Sequence, residues 1–130
     1  MTGYAAVVPE DGDPSAVTPL RQQPCAGCAP GTPLVDEGEL ERQRAELDFA
    51  WRVEGSPRRL CRDVDTVDFA SALTLATRIG LYAESVGHHP ELRVGWGRLG
   101  VEIWSHAAGG ITHSDLVFAA HVDAFVDDHA

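Results

Sequence analysis

The sequence predicts an α+β domain with an antiparallel sheet, and three observations predict it. Two pairs of short stretches alternate apolar and polar residues about a glycine-containing turn, which is hairpin patterning. Three other stretches repeat apolar residues every three or four positions, which is helical patterning. Their order is helix, two strands, helix, two strands, helix, and strands that pair locally between helices belong to α+β architectures.

Residues 1–33 hold six of the eight prolines and few large apolar groups. Such a stretch buries too little to offset its ordering entropy, so 1–33 is expected to be a disordered N-terminal extension of a domain over 34–130. Asp36 to Leu47 reads as a helix, with Leu40, Ala45 and Leu47 set among Glu, Arg and Gln. Trp51-Arg-Val53 and Arg59 to Val64 then flank a Gly55-Ser-Pro57 turn as a first hairpin. Thr66 is placed to cap the next helix, where Phe69, Leu73, Ala76, Gly80 and Ala83 recur at helical spacing. Gly87 suits the position after a helix end and Pro90 forbids continuation. His88 and His89 therefore fall on a sharply turning backbone just past that helix.

Leu92, Val94 and Trp96 alternate up to Gly97, and Leu99, Val101, Ile103 and Ser105 alternate on the return, making a second hairpin. Glu102, Trp104 and His106 share the face opposite Leu99, Val101 and Ile103. Large side chains on both faces imply that both are covered, one by helices and the other by a partner subunit or a ligand. The last helix starts at Thr112 after Gly109-Gly110, with Phe118, Val122, Phe125 and Val126 as its buried stripe.

At 130 residues the chain suits one domain with a real core. Its formal net charge of −10 repels phosphate backbones and anionic lipid, so nucleic acid, membranes and anionic substrates are disfavoured partners. A neutral or weakly basic small molecule fits better. No basic start with an apolar run opens the chain, and no stretch approaches the roughly 18 apolar residues of a spanning helix, so a cytoplasmic protein is expected. Three cysteines do not make a disulfide framework. Cys25-Ala-Gly-Cys28 has the spacing of half a zinc site, but no second Cys-x-x-Cys or spaced histidine pair completes it. No metal is expected there, and the pair reads as solvent-exposed or weakly redox-active.

The densest proton-transfer chemistry lies in Glu84-Ser-Val-Gly-His-His-Pro90, together with Trp96, His106 and Asp115 further along the chain. Four of the six histidines fall between Tyr82 and Asp115, and an unperturbed imidazole exchanges protons at about pH 6.5. Each residue also has a plain structural explanation. His88 and His89 suit a polar loop, and His106 suits a hydrogen-bonded strand end. Glu84 can simply be solvated, and Trp96 and Trp104 can simply pack. In Thr112-His-Ser-Asp115 the acid has the place of a capping-box residue. The combination says more than its parts. Glu84, three residues, His88-His89-Pro90, five residues, Trp96, nine residues, His106, eight residues and Asp115 resembles the signature of the pterin-4a-carbinolamine dehydratases. Trp51, Leu60, Arg62, Phe69, Ala72, Val101, Gly110-Ile111-Thr112 and the run from Ala119 to Asp123 fit the same pattern.

That resemblance implies a four-stranded antiparallel sheet with helices packed on one face, assembled into homodimers or homotetramers through the sheet. It implies dehydration of a 4a-hydroxytetrahydropterin to quinonoid dihydropterin, which recycles the cofactor of aromatic amino acid hydroxylases. It implies no metal and no bound cofactor. His88 and His106 would share acid–base work on the 4a-hydroxyl and N5, and His89 would bind and orient the pterin. Asp115 would orient a histidine or fix its charge state, while Glu84 and Trp96 would shape the pocket. Ser105, Ala107 and Ile111 depart from residues common in the family, and Ala107 puts in doubt any tuning of His106 by an acidic neighbour. The rival reading is a non-catalytic relative acting as an assembly factor or protein-binding partner. A metal or redox role at Cys25 and Cys28 is a weaker third.

Overall fold

A computed structural model of the chain describes residues 18–129. In chain order the elements are α1 (Glu37–Arg44), β1 (Arg52–Glu54), β2 (Arg59–Asp65), α2 (Phe69–Val86), β3 (Glu91–Gly95), β4 (Arg98–Ile103) and α3 (His113–His129). Both predicted hairpins form, and the antiparallel β2–β4 pair joins them into one sheet of order β1-β2-β4-β3. The register sets Leu60 opposite Ile103, Arg62 opposite Val101 and Val64 opposite Leu99. This alignment gathers the apolar residues of the two central strands on one face, where α2 and α3 cover them with Ala72, Leu75, Ile79, Leu116, Phe118 and Val122. Burying each large side chain there is worth roughly 1.5–3 kcal/mol.

The phase of α2 differs from expectation. Its cap is Asp68, whose Oδ1 accepts from Ser71 N–H at 2.8 Å, while the Thr66 hydroxyl donates to the Asp68 carbonyl. The buried stripe is Ala72, Leu75, Ala76, Ile79 and Ala83; Phe69 and Leu73 stay 47% and 49% exposed. Alanines let the helix axis approach the sheet closely, and that contact outweighs the larger residues on the neighbouring side. Gly87 ends the helix in the left-handed region at φ 70°, as expected.

The expected extension is also corrected in part. Residues 1–17 lie outside the described residues, but from Thr18 the chain is docked on the domain. Leu20, in a short 3-10 turn over Leu20–Gln22, is 1% exposed, and its N–H donates to Glu46 Oε1 at 2.8 Å. His121 Nε2 meets the Gln23 carbonyl at 2.8 Å, and Arg21 pairs with Asp127. One buried leucine with polar anchors suffices because α3 supplies a preformed surface, so the segment need not build its own core.

The face of the sheet away from the helices is not apolar. Arg52 pairs with Glu54 and Asp63, and Arg59 and Arg93 converge on Glu102. Among the described residues no element of the chain covers it, and the helices cover the other face as expected. No helix among them is long and apolar enough to cross a membrane.

Candidate active site

The α2–β3 turn and the end of β4 face each other across a cavity of about 290 Å³ lined by Cys28, Gly87, His88, His89, Trp104, Ser105, His106 and Ala107. The local fold explains the meeting. Gly87 reverses the chain after α2, with its own N–H and that of His88 both bonded to the Ala83 carbonyl. The two histidines then enter β3, whose antiparallel pairing sets Glu91 beside Glu102 near the end of β4. His106 continues the alternation of Glu102 and Trp104 just past the end of β4.

His88 and His89, adjacent in sequence, have opposite surroundings. His88 is 5% exposed and packs against Phe118, its ring centre 5.7 Å from the phenyl. His88 Nε2 lies 2.6 Å from Asp115 Oδ1, and Asp115 is 0% exposed. Asp115 Oδ2 accepts from Thr112 N–H at 2.7 Å and from the Ser105 hydroxyl at 2.8 Å. The first is the acid-to-cap bond that the Thr112–Asp115 spacing predicts, so capping and site roles coexist. Two donors thus meet Oδ2, and Asp115 stands in the first turn of α3, where the unpaired backbone N–H groups face it. A carboxylate only accepts, so as one Asp115 receives Nε2–H from His88, and His88 Nδ1 has no hydrogen-bond partner among the described residues and stays in contact with solvent.

His89 is 60% exposed, with Nε2 2.8 Å from Glu84 Oε1 across the turn. His106 is exposed and hydrogen-bonded to no other described residue; its ring stacks on Trp104 at 4.3 Å and 12°. The Arg59 guanidinium lies 4.5 Å from the Trp104 ring centre. The structure thus brings His88, His89 and His106 to one cavity, places the buried Asp115 behind His88 and sets Glu84 at the edge through His89.

Trp96 is not brought there. It sits in the tight turn between β3 and β4, 77% exposed, at the end of the hairpin away from the histidines. A strand advances about 3.3 Å per residue, so the six residues from Pro90 carry Trp96 roughly 20 Å away. Trp104 and Cys28 line the cavity but were not assigned to it from sequence. Trp104 had a signal, since it shares a strand face with His106. Cys28 stood out through its Cys-x-x-Cys spacing, but the proline-rich lead around it gave no sign that it docks at the cavity. Cys25 is buried, and burial pushes its thiol up to about 12, so it remains protonated near neutral pH. The described residues contain no cluster of three or more His, Cys, Asp or Glu placed to hold a metal ion.

Known proteins resemble the chain over most of its length. Residues 33–125 match the family description "Pterin 4 alpha carbinolamine dehydratase". A Gloeobacter violaceus protein named "Putative pterin-4-alpha-carbinolamine dehydratase 1" is 39% identical over 108 residues, 81% of this chain and 91% of that one. A solved structure from Brucella melitensis, described as a transcriptional coactivator/pterin dehydratase, superimposes with a TM-score of 0.66 at 28% identity. That match covers 72% of this chain and 99% of the other. A pterin dehydratase-like protein identified as a RuBisCO assembly factor in the alpha-carboxysome shares the fold, with a TM-score of 0.52 at 23% identity, over 60% and 90% of the two chains.

Proposed function

The chain belongs to the pterin-4a-carbinolamine dehydratase family, and on that premise we propose that it removes water from a 4a-hydroxytetrahydropterin to give quinonoid dihydropterin. One observation carries the reading: an aspartate-held imidazole and an unpaired imidazole face the same cavity. The reaction needs that pair. The N5 hydrogen must leave as the C4a–O bond breaks, and the departing hydroxide must be protonated, so that one hydrogen and one hydroxyl depart together as water.

His88 is the base in this reading. Asp115 holds Nε2–H, so the Nδ1 lone pair takes the N5 proton and the carboxylate stabilises the resulting imidazolium. His106 is the acid: nothing in the described chain competes for its ring nitrogens, so it can protonate the leaving hydroxyl and recover its proton from water. His89, tethered by Glu84, contacts the polar edge of the heterocycle at the rim. The cavity is at the lower end of ligand-site volumes, about 300–1,000 Å³, which suits a small planar bicycle. A chain of net charge −10 does not repel a neutral pterin. The place of the reaction is cytoplasmic cofactor recycling, with no metal or bound cofactor taking part.

Stopped-flow dehydration of synthetic 4a-hydroxytetrahydropterin tests the proposal. The expected result is acceleration well above the spontaneous rate; equality with the spontaneous rate overturns it. A second reading, a docking or assembly role, is favoured by one observation: α2 leaves Phe69, Leu73 and Leu81 exposed along one side. The same side suits a second copy of the chain, and we take the protein to be a homo-oligomer. Sedimentation that finds a monomer would remove that part.

A further inference from the structure

One wall of the cavity comes from the segment just upstream of residue 33, where the family model's match begins. Cys25-Ala-Gly-Cys28 crosses the α2–β3 turn so closely that a Cβ on Gly27 would stand 2.4 Å from the Gly87 carbonyl oxygen, beside His88. Only glycine permits that approach. Cys25 fixes one end of the crossing, buried and with its Sγ donating to the Ser114 carbonyl at 3.6 Å. Cys28 forms the other end, its Sγ in the cavity wall, 3.2 Å from Thr112 Oγ1 and 3.4 Å from Ser105 Oγ.

The hydrogens available decide how these groups are wired. Each hydroxyl and the thiol has one hydrogen to give. Asp115 Oδ2 is the strongest acceptor in the group, so the Ser105 hydroxyl donates to it at 2.8 Å rather than to sulfur. The Thr112 hydroxyl then donates to Ser105 Oγ at 2.9 Å, a shorter contact than its 3.2 Å to the carboxylate. Thr112 Oγ1 is left with an open acceptor position, which Cys28 S–H fills. The chain of donors runs Cys28, Thr112, Ser105, Asp115, and ends on the carboxylate that holds His88 Nε2.

We infer that Cys28 is a positioning residue for this site: its S–H closes the outer end of the Thr112–Ser105–Asp115 hydrogen-bond chain, keeps the Thr112 hydroxyl on Ser105 and so holds the carboxylate against His88. Its kinetic consequence rests on the dehydratase reading, whereas its consequence at the His88 ring needs no substrate. Without the thiol, the Thr112 hydroxyl is free to turn between Ser105 and Asp115, and Asp115 meets His88 in more than one arrangement.

The test observes the imidazole nitrogens of the full-length, substrate-free protein by NMR in wild type, Cys28→Ala and Cys28→Ser. Cys28 is only half-buried, so neither variant leaves a closed void. Cys28→Ala should move the His88 nitrogen resonances and leave those of His106 in place. It should lower kcat on the order of three- to tenfold, the weight of one hydrogen bond, with KM little changed. Cys28→Ser keeps a donor and should restore most of both effects. Unmoved His88 resonances in Cys28→Ala, or serine behaving as alanine, would overturn the inference. If wild type fails to accelerate dehydration, the functional reading falls, and the His88 resonances still decide the role of Cys28.

Discussion

Asp115 and Asp123 stand eight residues apart on α3, about 12 Å along the axis, and both are fully buried. Each accepts a backbone N–H and two side-chain donors. Asp123 takes Asp48 N–H at 2.8 Å, Trp51 Nε1–H at 2.7 Å and an Arg62 guanidinium N–H. Its partners are a permanent cation and a buried indole, and the cluster ties β2 and the α1–β1 connection to α3. Asp115 takes Thr112 N–H, the Ser105 hydroxyl and His88. Its key partner can gain a proton, and the far nitrogen of that partner faces solvent. The same solution to burying a carboxylate serves architecture at one end of the helix and chemistry at the other.

The largest expected effects separate these ends. His88→Ala and His106→Ala should each lower kcat by about 100-fold or more, the usual range of a lost general acid or base, while remaining folded, with His88→Ala the less stable of the two because His88 is buried against Phe118 and Asp115. Retained turnover in both would break the division of labour between the two histidines. Asp123→Ala should act in the opposite sense. It leaves the buried Arg62 with only its 3.5 Å contact to Asp48 and removes the acceptor of Trp51 Nε1–H, which costs about 3 kcal/mol in urea denaturation, with kcat per folded molecule unchanged. Asp115→Asn lies between. It should cost about 1 kcal/mol of stability through the weakened cap and lower kcat on the order of tenfold to a hundredfold through His88. If Asp115→Asn destabilised as strongly as Asp123→Ala with no effect on kcat, the two acids would be the same kind of residue.

A pair of tryptophans sharpens the map of the site. Trp104→Ala should lower kcat/KM by about three- to tenfold, since an aromatic stack under His106 is worth about 0.5–1.5 kcal/mol. Trp96→Ala should leave kcat/KM within about twofold, because single surface changes away from a site shift free energies by about 0.5 kcal/mol or less. Equal losses in both would show Trp96 reaching the cavity.

The two tryptophans also show what a sequence can convey. Alternation exposes which residues share a strand face, and it linked Trp104 to His106. It says little about which end of a hairpin a residue reaches, and Trp96, named from the resemblance, stands at the end away from His88 and His89 in this chain. The four strands, their hairpin pairing and the last two helices were legible because hydrophobic period and turn chemistry are local. The phase of α2 was not, because the helix is apolar on two sides and small alanines mark the buried one. His88, His89, His106 and Asp115 were legible as a spaced set, but the Asp115–His88 bond spans 27 residues and only the folded chain reveals it. Cys28 lay hidden because proline density in 1–33 predicts disorder. The docking of Leu20 and Gly27 depends on surfaces that the rest of the chain builds first.

A third acid tests the comparison from the sheet side, with the smallest effect. Glu102 lies on the uncovered face, and its carboxyl is held below the usual range first by the hydrogen bond from Arg93 and then by Arg59, with burial opposing. Because the folded value is depressed, the ionised form is favoured by folding. The stabilisation is present above the unfolded value of about 4.3 and is lost as pH falls through the folded one. Arg93 is largely exposed, so the contribution stays near or under about 1 kcal/mol. Urea midpoints of wild type and Glu102→Gln should differ modestly at pH 7, and the gap should close as the pH is lowered below about 4. A gap that stays constant across that range would sink the assignment. It would mean that Glu102 contributes by packing alone, leaving Asp115 and Asp123 as the acids whose charge the fold uses.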